Sequence, residues 1–532
     1  MVNDLIDVKY TDRTAYTDIA SGDVMGCPFE YHWGPVDELQ VLSRSEFYDL
    51  YPESLPNGYT GDLSRYFGYA QIKQAFSFGM PEVEVIRPQG DWAYEVFKLT
   101  GSTPSAISQV PAADPFSTQT SGWLYVSSKY PGYLPKSLVD PYDSIAVQVL
   151  VSSDATVFTV KVLGIKNSTI TAVIEEFEGN GIQGSTLDGA KYYIDDVCAN
   201  SRYIKVKFDA SFTGTKMGHT SSTYTSFLSV GETISGVAAA YPSELNASDY
   251  RPYFDDYYAD FFVSNATLLI SPISTNQLDA DIFNIAQERQ SVTGVVGYPI
   301  VNTFSKSDIQ TYIASGITGA SKNQFTFFVA GREIVSVFGS KIASNCVGGF
   351  CGCTAAVARS ARLNQLASAF SYGSYAGSIS ETLKMKDAND LMKDGVISVI
   401  ATRNGNYIWG TRNTYTRTTS MFARANVTRV VANLLRNAFP IALDAIHTDA
   451  AANVTERSRY QTRFSTVIND LIANGNLQPQ SEANCMGNIN SDYNTQGGRI
   501  FNVIFTCYFI GLVEKVVINI VATDSSVTAN IQ

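Results

Sequence analysis

The most restrictive feature of this chain is the segment 395–415, which reads GVISVIATRNGNYIWGTRNTY. Two apolar runs, Val396–Ala401 and Tyr407–Gly410, flank the polar turn residues 404–406, which are Asn-Gly-Asn. Glycine adopts positive φ without steric cost, so Asn-Gly between apolar runs predicts a tight β-hairpin. A hairpin fixes the direction and the register of two neighbouring strands, and the rest of the fold has to accommodate it.

Composition predicts several packed domains. The chain has 532 residues, 45% hydrophobic and 17% charged, which is enough apolar material for sizeable cores and too little charge for disorder. No uncharged apolar run reaches the roughly 18 residues that a membrane helix needs. The start, MVNDLIDVKY, lacks the basic and apolar character of a secretory signal. We therefore expect cytoplasmic synthesis, a soluble subunit and no direct membrane insertion.

Charge is distributed unevenly along the chain. The formal net charge of −12 disfavours nucleic acid as a partner, because phosphate binding needs clustered Lys and Arg. Residues 400–532 carry 11 Lys and Arg against 8 Asp and Glu, whereas the rest of the chain carries 27 against 42. Ten of the eleven C-terminal cations are Arg, which makes bidentate contacts to carboxylates. This favours an interface role for the C-terminal part, although ordinary variation between domains explains the imbalance equally well.

Periodicity predicts alternating strands and helices. Residues 100–250 are rich in Ser, Thr, Val and Tyr with alternating apolar runs, which is typical of a β-rich domain. Residues 260–370 alternate strand and helix patterns, typical of an α/β arrangement. The main predicted helices are Ser45–Tyr51 with Ser43 or Ser45 as N-cap, Tyr69–Phe78, Thr354–Leu363, Ala423–Ala438 and Val454–Ala473.

No catalytic or cofactor-binding motif is evident. The three histidines are not spaced as metal ligands, and neither a phosphate-binding glycine loop nor a Gly-x-Ser-x-Gly nucleophile turn occurs. We expect no enzyme activity, no cofactor and no metal. Of the seven cysteines, Cys346, Cys351 and Cys353 lie in NCVGGFCGCTA. Small-residue packing, disulfides, and a metal or redox loop are all compatible with that segment.

Three segments follow spaced patterns that are typical of one family. Around the hairpin, the family pattern is roughly Leu-x-x-x-Gly-Ile-x-x-Ile, a short gap, then Ile/Val-Trp-Gly-x-Arg-Thr. The matching residues are Leu391, Gly395, Val396, Ile400, Ile408, Trp409, Gly410 and Arg412. Near the start, Gly34-Pro35-Val36, Leu42, Ser45 and Phe47 fit a second pattern, with departures at Leu39 and Tyr51-Pro52. The segment Gly349–Arg359 looks like the counterpart of a Gly-His-Val-Ala-Gly-x-Tyr-Ala-Arg stretch. Together these segments resemble the contractile-tail sheath proteins, the subunits of the shortening sleeve around a phage tail tube.

The resemblance implies an α+β, multidomain fold. A mixed α/β core built from both chain ends would carry a β-rich inserted domain. The implied domains are an N-terminal linking arm (1–25), the N-terminal part of the core (26–99), a β-rich outer insert (100–255), an α/β sheath domain (256–390), a C-terminal inner core domain (391–522) and a C-terminal tail (523–532).

The implied function is structural. Sheath subunits polymerise as stacked hexameric rings around a tail tube protein, bounded by baseplate and tail terminator proteins, and contract to drive the tube through the host envelope. The expected location is the virion tail, after assembly in the host cytoplasm. Alternatives are the sheath of a related bacterial injection machine of the bacteriocin or secretion type, a non-contractile β-rich virion surface protein, or an enzyme that uses Cys351 and Cys353.

The resemblance implies two sets of interface residues, the arm strands and the tube-facing cations, and the number and scatter of the seven cysteines suggest a third set. Two arm strands would add to a neighbouring subunit's sheet: Ile6, Val8 and Tyr10, and Val516, Ile518 and Ile520. Tube-facing cations would be Arg457, Arg459 and Arg463, with pairing to Glu456 or plain solvation as the alternative. Surface thiols able to form intersubunit disulfides would be Cys27 and Cys198, rather than Cys507, which alternates with Phe505 and Phe509.

Overall fold

The computed structural model confirms a mixed α/β, multidomain architecture with several separate sheets. It describes residues 23–56, 59, 61–220, 223–229, 243–273, 278–316, 322–363, 365–415, 420–445, 448, 453–488, 500–510, 518–522 and 527–531.

Twenty-seven strands occur in the described part of the chain. In chain order they are β1 (Val24–Pro28), β2 (Gln40–Ser43), β3 (Glu82–Ile86), β4 (Tyr94–Thr100), β5 (Thr103–Pro104), β6 (Ser108–Val110), β7 (Leu124–Ser128), β8 (Ser144–Val151), β9 (Val157–Lys166), β10 (Thr169–Asn180), β11 (Thr186–Leu187), β12 (Ala190–Lys191), β13 (Ile204–Phe208), β14 (Thr225–Ser229), β15 (Leu268–Ile270), β16 (Thr293–Gly297), β17 (Thr326–Ala330), β18 (Arg332–Val337), β19 (Ser340–Asn345), β20 (Ser374–Tyr375), β21 (Ile379–Glu381), β22 (Val396–Thr402), β23 (Gly405–Trp409), β24 (Glu482–Asn488), β25 (Ile500–Thr506), β26 (Ile518–Ala522) and β27 (Val527–Ile531).

The α-helices of the described residues are α1 (Arg44–Leu50), α2 (Phe67–Ser77), α3 (Lys136–Val139), α4 (Ile194–Cys198), α5 (Ala247–Tyr253), α6 (Asp279–Arg289), α7 (Lys306–Thr311), α8 (Val347–Ser360), α9 (Ala369–Tyr372), α10 (Met385–Lys393), α11 (Ala425–Ala445) and α12 (Val454–Ala473). Short 3-10 turns occupy Ser64–Tyr66 and Met421–Ala423, and π-helical turns follow α5 and α7. Helix α12 has the predicted bounds. Ser43 and Glu46 form a capping box at the start of α1, in which the side chain of each accepts a hydrogen bond from the backbone N–H of the other.

A nine-stranded main sheet organises the molecule, with the strand order β2-β3-β1-β15-β16-β17-β22-β23-β20. The six central strands, from β3 to β22, run parallel, and antiparallel strands close both edges. Strand β17 is buried along its whole length, as expected of a parallel strand covered on both faces. Its Phe327 and Val329 face one core, and Phe328 and Ala330 face the other.

The predicted hairpin forms the β22–β23 edge of this sheet. Thr402 pairs with Gly405, so the connection is the dipeptide 403–404, one residue earlier than the sequence predicted. The indole Nε1 of Trp409 donates to Oδ1 of Asn389 on α10 at 2.7 Å. Gly395 has φ +83°, and an added Cβ there would overlap the backbone oxygen of Asn413. Gly395 and Trp409, two of the residues that carry the resemblance, therefore hold the hairpin in contact with Asn413 and with α10.

Asn413, just after the hairpin, holds the start of α11. Its Nδ2 donates to the backbone oxygens of Gln324 (2.9 Å) and Phe422 (2.6 Å) and to the hydroxyl of Thr428 (2.7 Å). Asn413 is buried, so these contacts satisfy a polar group that burial would otherwise penalise. Asn413 thus holds the start of α11 close to the end of the hairpin.

The β-rich region forms two sheets of its own. One has the order β10-β9-β8-β14, and the other has the order β13-β7-β4-β5 with β6 also on β4. Strand β8 has the predicted bounds, whereas β4 lies mostly before residue 100 and pairs with β7 inside the predicted insert. Arg87 joins this region to the core. Its guanidinium donates to the backbone oxygens of Tyr31 (2.5 Å), Gly34 (2.8 Å) and Pro131 (3.0 Å).

The cysteine- and glycine-rich segment forms a helix packed closely on α2. Helix α8 begins at Val347, seven residues earlier than predicted, so its glycines are helical. An added Cβ would overlap the backbone oxygen of Gln71 at Gly348 and that of Ala75 at Gly352. The small residues of this segment therefore allow α8 and α2 to pack closely. Burial raises the pKa of the Cys353 thiol to about 12, which disfavours the thiolate that redox or metal chemistry needs.

We expect Gly352→Ala to destabilise the protein, because the new methyl group meets the α2 backbone, which cannot move without displacing the helix. The expected loss in free energy of unfolding is about 1–3 kcal/mol. Ser360→Ala, on the exposed last turn of the same helix, is the matched control and should stay within about 0.5 kcal/mol of the parent. Denaturant titration measures both, and equal midpoints for the two variants would contradict the close α2–α8 contact.

Candidate functional site

The candidate functional site is a surface of the C-terminal unit, which we define as α11, α12, β24 and β25. Within the described residues, no three His, Cys, Asp or Glu side chains are placed to hold a metal ion. No described helix combines the length and the apolar character that a membrane span requires. The C-terminal unit has its own hydrophobic core, separate from the two cores of the main sheet.

Helix α12 is amphipathic, and its apolar stripe forms that core. Tyr460, Phe464, Ile468 and Leu471 are buried at helical spacing against α11 and the β24–β25 pair. Asn453 caps the helix by accepting a hydrogen bond from the backbone N–H of Thr455 at 2.9 Å. The stripe fixes which side of α12 faces outward.

The outward side carries two of the predicted tube-facing cations. Arg459 is 65% exposed and lies 3.6 Å from the Glu456 carboxylate. Arg463 is 36% exposed and lies 2.7 Å from the Asp444 carboxylate. Arg457 lies in the first turn and is half-buried. In the isolated chain Arg459 therefore has the intramolecular partner that the sequence offered as the alternative, and tube contact by these residues stays a prediction.

Gln461 has a role that sequence analysis missed. Its side-chain amide donates to the backbone oxygen of Ala483 at 2.5 Å and accepts from the backbone N–H of Cys485 at 2.6 Å. Both partners lie in β24. The available signal was a polar residue within the apolar stripe, three residues before Phe464 and seven before Ile468.

The two strands of the unit differ in how well they are covered. On β24, Ala483 and Cys485 are buried against α12. On β25, Val503 and Phe505 point into the same core but are only half-buried, and Ile504 on the opposite face is 47% exposed. The core of the unit is therefore closed beneath β24 and partly open beneath β25.

The predicted arm strands lie mostly outside the described residues. This applies to Ile6, Val8, Tyr10 and Val516. Ile518 and Ile520 lie in β26, which pairs antiparallel with β27 of the same chain, Ile518 opposite Ile531. The predicted C-terminal tail, residues 523–532, contains strand β27 at Val527–Ile531. Addition of β26 to a neighbouring subunit stays a prediction.

The end of the predicted N-terminal arm, at Asp23, is bonded to the C-terminal unit. Asp23 is the first described residue, and its carboxylate forms an ion pair with Arg429 of α11. The other carboxylate oxygen accepts from the hydroxyl of Thr267 at 3.1 Å, and Arg429 also donates to the backbone oxygen of Thr354 on α8 at 3.3 Å. Arg429 is 2% exposed and Asp23 10%, so this pair is buried.

The predicted exposure of Cys27 and Cys198 is wrong. Cys27 lies in the interior strand β1 and Cys198 at the end of α4, and neither is exposed to solvent. Burial raises the pKa of both thiols. Cys507, which the sequence placed on a buried face, is half-buried and therefore more accessible than either. The order of accessibility is thus the reverse of the predicted order.

Comparison with solved structures identifies the fold. The chain matches the sheath tail protein Lin1278 from Listeria innocua with a TM-score of 0.55 at 13% identity, over 91% of this chain and 95% of that one. This chain has the fold of a sheath tail protein. The sheath fold accounts for the nine-stranded sheet together with the separate β-rich region and C-terminal unit, since the match spans nearly the whole chain.

Two further structures match with lower scores. They are the sheath tail protein DSY3957 from Desulfitobacterium hafniense, with a TM-score of 0.48 at 12% identity over 92% of this chain and 97% of that one, and the contracted helical sheath of the anti-feeding prophage, with a TM-score of 0.47 at 10% identity over 94% and 93%. No protein-family model matches the sequence, and no curated protein does. The sheath fold is therefore evident here from structure and not from overall sequence similarity.

We expect Asp23→Asn to lower the free energy of unfolding by about 3–5 kcal/mol, because it leaves the Arg429 guanidinium buried without its carboxylate. The double variant Asp23→Asn/Arg429→Met should recover a large part of that loss, since no buried charge remains. Asp281→Asn, which removes the exposed pair with Arg251, is the control and should cost about 1 kcal/mol or less. Urea titration compares the three, and equal losses for the single variants would contradict a buried anchor.

Proposed function

We propose that this chain is the sheath subunit of a contractile phage tail. The observation that carries the proposal is the sheath fold over 91% of the chain, together with the spaced residues around the β22–β23 hairpin. In this proposal the subunits assemble in the host cytoplasm as stacked hexameric rings around a tail tube protein. The rings are bounded by baseplate and tail terminator proteins, and the finished sheath is part of the virion.

Contraction in this proposal needs no nucleotide. The lattice is assembled in an extended state of higher free energy, and the baseplate triggers its passage to the contracted state. The subunit supports this role through its division into a main sheet and a C-terminal unit that has its own core and packs against the main-sheet core through α11. Rigid bodies that rearrange about their contacts are the ordinary means of such transitions.

The C-terminal unit is proposed to line the tube. The exposure of Arg459 and Arg463 supports this, because their present partners, Glu456 and Asp444, also lie at the surface. Exposed ion pairs contribute about 0–1 kcal/mol, so exchanging these partners for tube carboxylates costs little. The positive balance of residues 400–532 fits an inner surface that meets an acidic tube.

A related bacterial injection machine is the alternative that the same sequence pattern supports. Electron microscopy of native particles separates the two possibilities, because a phage sheath is attached to a capsid. Purified subunits that stay monodisperse monomers under all assembly conditions would contradict both.

We expect the full chain to form helical tubes and the chain lacking residues 1–20 to stay folded without forming them. The deletion ends before Asp23 and β1, so the core and its anchor remain intact. Negative-stain electron microscopy scores tubes, and circular dichroism scores folding. A finer pair of variants separates the two faces of the arm strand: Ile6→Ser/Val8→Ser/Tyr10→Ser should abolish tubes, whereas Asp7→Asn/Lys9→Gln should not. Long tubes from the truncated chain would overturn the arm assignment.

We expect Arg459→Glu/Arg463→Glu to prevent extended sheaths on the tube, because each charge-assisted contact of about 1.5–3 kcal/mol becomes a repulsion. Such particles should be contracted or should lack a tube when viewed by electron microscopy. The control is Lys191→Glu/Arg202→Glu in the β-rich region, which lies outward in the proposed assembly and should give normal tails. Normal extended tails from the α12 variant would show that these arginines do not contact the tube.

A further inference from the structure

An exposed aromatic patch lies where α11 meets the turn that precedes β15. We define the patch as Phe261, Phe262 and Val263 of the turn together with Phe439 of α11. Phe262 is 68% exposed, and Val263 and Phe439 are each 42% exposed. Consecutive apolar residues are rarely left in water at the tip of a turn, and exposed apolar patches commonly mark binding surfaces.

The rings of the patch are held in fixed positions. Phe261 meets Phe439 edge-on, with the ring centroids 4.6 Å apart. The guanidinium of Arg289 lies 5.8 Å from the centroid of the Phe261 ring. Arg289 also donates to the backbone oxygens of Tyr258 at 2.8 Å and Ser264 at 2.5 Å, on either side of the turn. A surface that is already ordered loses little conformational entropy when it binds a partner.

The guanidinium of Arg436 lies next to the patch and has an unused donor. Arg436 comes one turn before Phe439 on α11, and its Nη2 donates to the backbone oxygen of Ser291 at 2.9 Å. Arg289 donates to the hydroxyl of the same Ser291 at 3.1 Å, so the two arginines lie side by side. The Nε of Arg436 is buried and has no hydrogen-bond partner among the described residues. A buried N–H without a partner is costly, so this position favours an acceptor.

The charges around Arg436 favour a carboxylate as that acceptor. The charged groups that act on Arg436 are Asp23, Arg289 and Arg429. Asp23 forms its ion pair with Arg429, and within the described part of the chain no carboxylate is paired with Arg436. Burial lowers the pKa of Arg436 to about 10, and the neighbouring arginines lower it further. A carboxylate placed on Nε would offset both effects.

The residues before Asp23 start within reach of Arg436. Arg429, the partner of Asp23, lies seven residues before Arg436 on α11. Seven helical residues span about 10 Å and bring the two side chains to nearly the same face of the helix. Asp18 lies five residues before Asp23, and five extended residues span up to about 17 Å. The Asp18 carboxylate can therefore reach the Nε of Arg436.

We propose that residues 16–19 of the same chain bind this site, with the Asp18 carboxylate on Arg436 and the side chains of Tyr16 and Ile19 on the aromatic patch. The segment reads Tyr-Thr-Asp-Ile, so its acid lies between two apolar side chains. The residues before 16 then leave the body of the subunit at the patch and not at Asp23. The contact lies within one chain, so it goes beyond the proposed function and can be tested on dispersed monomers.

Tethering favours this segment over the same segment of a second copy. A short flexible linker gives a tethered group an effective concentration in the millimolar range. Covering Phe262 removes apolar surface from water, which supplies a favourable term that does not depend on exact geometry. The pair of Asp18 with Arg436 is directional and fixes which residues of the segment lie on the rings.

Disulfide trapping tests the contact. Ile19→Cys supplies a thiol on the segment, and Val263→Cys supplies one in the patch while all three rings remain. Val301→Cys is the matched control, because Val301 is also an exposed valine but follows β16, at the opposite edge of the main sheet. The chain is oxidised at a dilution where light scattering detects monomers only. Mass spectrometry of the monomer band then measures each intrachain disulfide, and the chain with Ile19→Cys alone controls for native thiols such as Cys507.

The expected result is a 19–263 disulfide that forms at least about tenfold faster than the 19–301 disulfide. Asp18→Asn should lower the 19–263 rate by about tenfold, because a charge-assisted hydrogen bond is lost. Asp12→Asn alters an acid outside the bound segment and should leave the rate unchanged. Equal rates at 263 and 301 overturn the inference. A 19–263 disulfide that forms only between chains also overturns it and assigns the patch to a second copy, and equal effects of the two Asn variants overturn the role of Asp18.

Limited proteolysis tests the patch without new cysteines. Trypsin cleaves after Arg13, and cleavage follows the population in which residues 16–19 are released. Phe262→Ser should raise the cleavage rate by about fivefold to tenfold, because the segment loses apolar surface to cover. Phe370→Ser removes an exposed ring on α9, outside the patch, and should leave the rate unchanged. Equal rates for the two variants overturn the role of the patch and leave the sheath function standing, because assembly is not measured.

Discussion

The position of β1 in the interior of the main sheet is the constraint on which the rest of the structure depends. This strand lies between β3 and β15 and pairs in parallel with both. The main sheet therefore joins the N-terminal part of the chain to the α/β region after the β-rich insert through β1. The buried pair of Asp23 with Arg429 then joins the start of the same strand to α11 and, through it, to the C-terminal unit.

Much of this architecture could be predicted from local sequence, because the strongest signals were chemically specific. The Asn-Gly turn and its flanking apolar runs predicted the β22–β23 hairpin to within one residue. Ser43, one of the two predicted N-caps, marks the start of α1, since capping needs a side chain that accepts from the first backbone N–H groups of the helix. The alternating runs of the insert predicted β8 at its observed bounds.

Other features could not be read from the sequence because they depend on distant partners. Cys27 was predicted to be a surface thiol, and its burial follows from β1 being flanked by β3 and β15, strands about 55 and 240 residues away along the chain. The role of Gln461 depends on β24, which is more than twenty residues downstream. The glycines before Thr354 suggested a loop, and they are helical because α2 packs so closely that larger side chains would not fit. In each case tertiary contact overrides local preference.

The anchorage of β1 has a mechanical consequence. A pull on the residues that precede Asp23, directed along the strand, loads the hydrogen bonds of β1 to both neighbours at the same time, because those bonds lie across the direction of the force. Such a shear geometry resists rupture better than peeling, in which bonds fail one after another. The first residues of the chain thus lead directly into a strand that is held by neighbours on both sides.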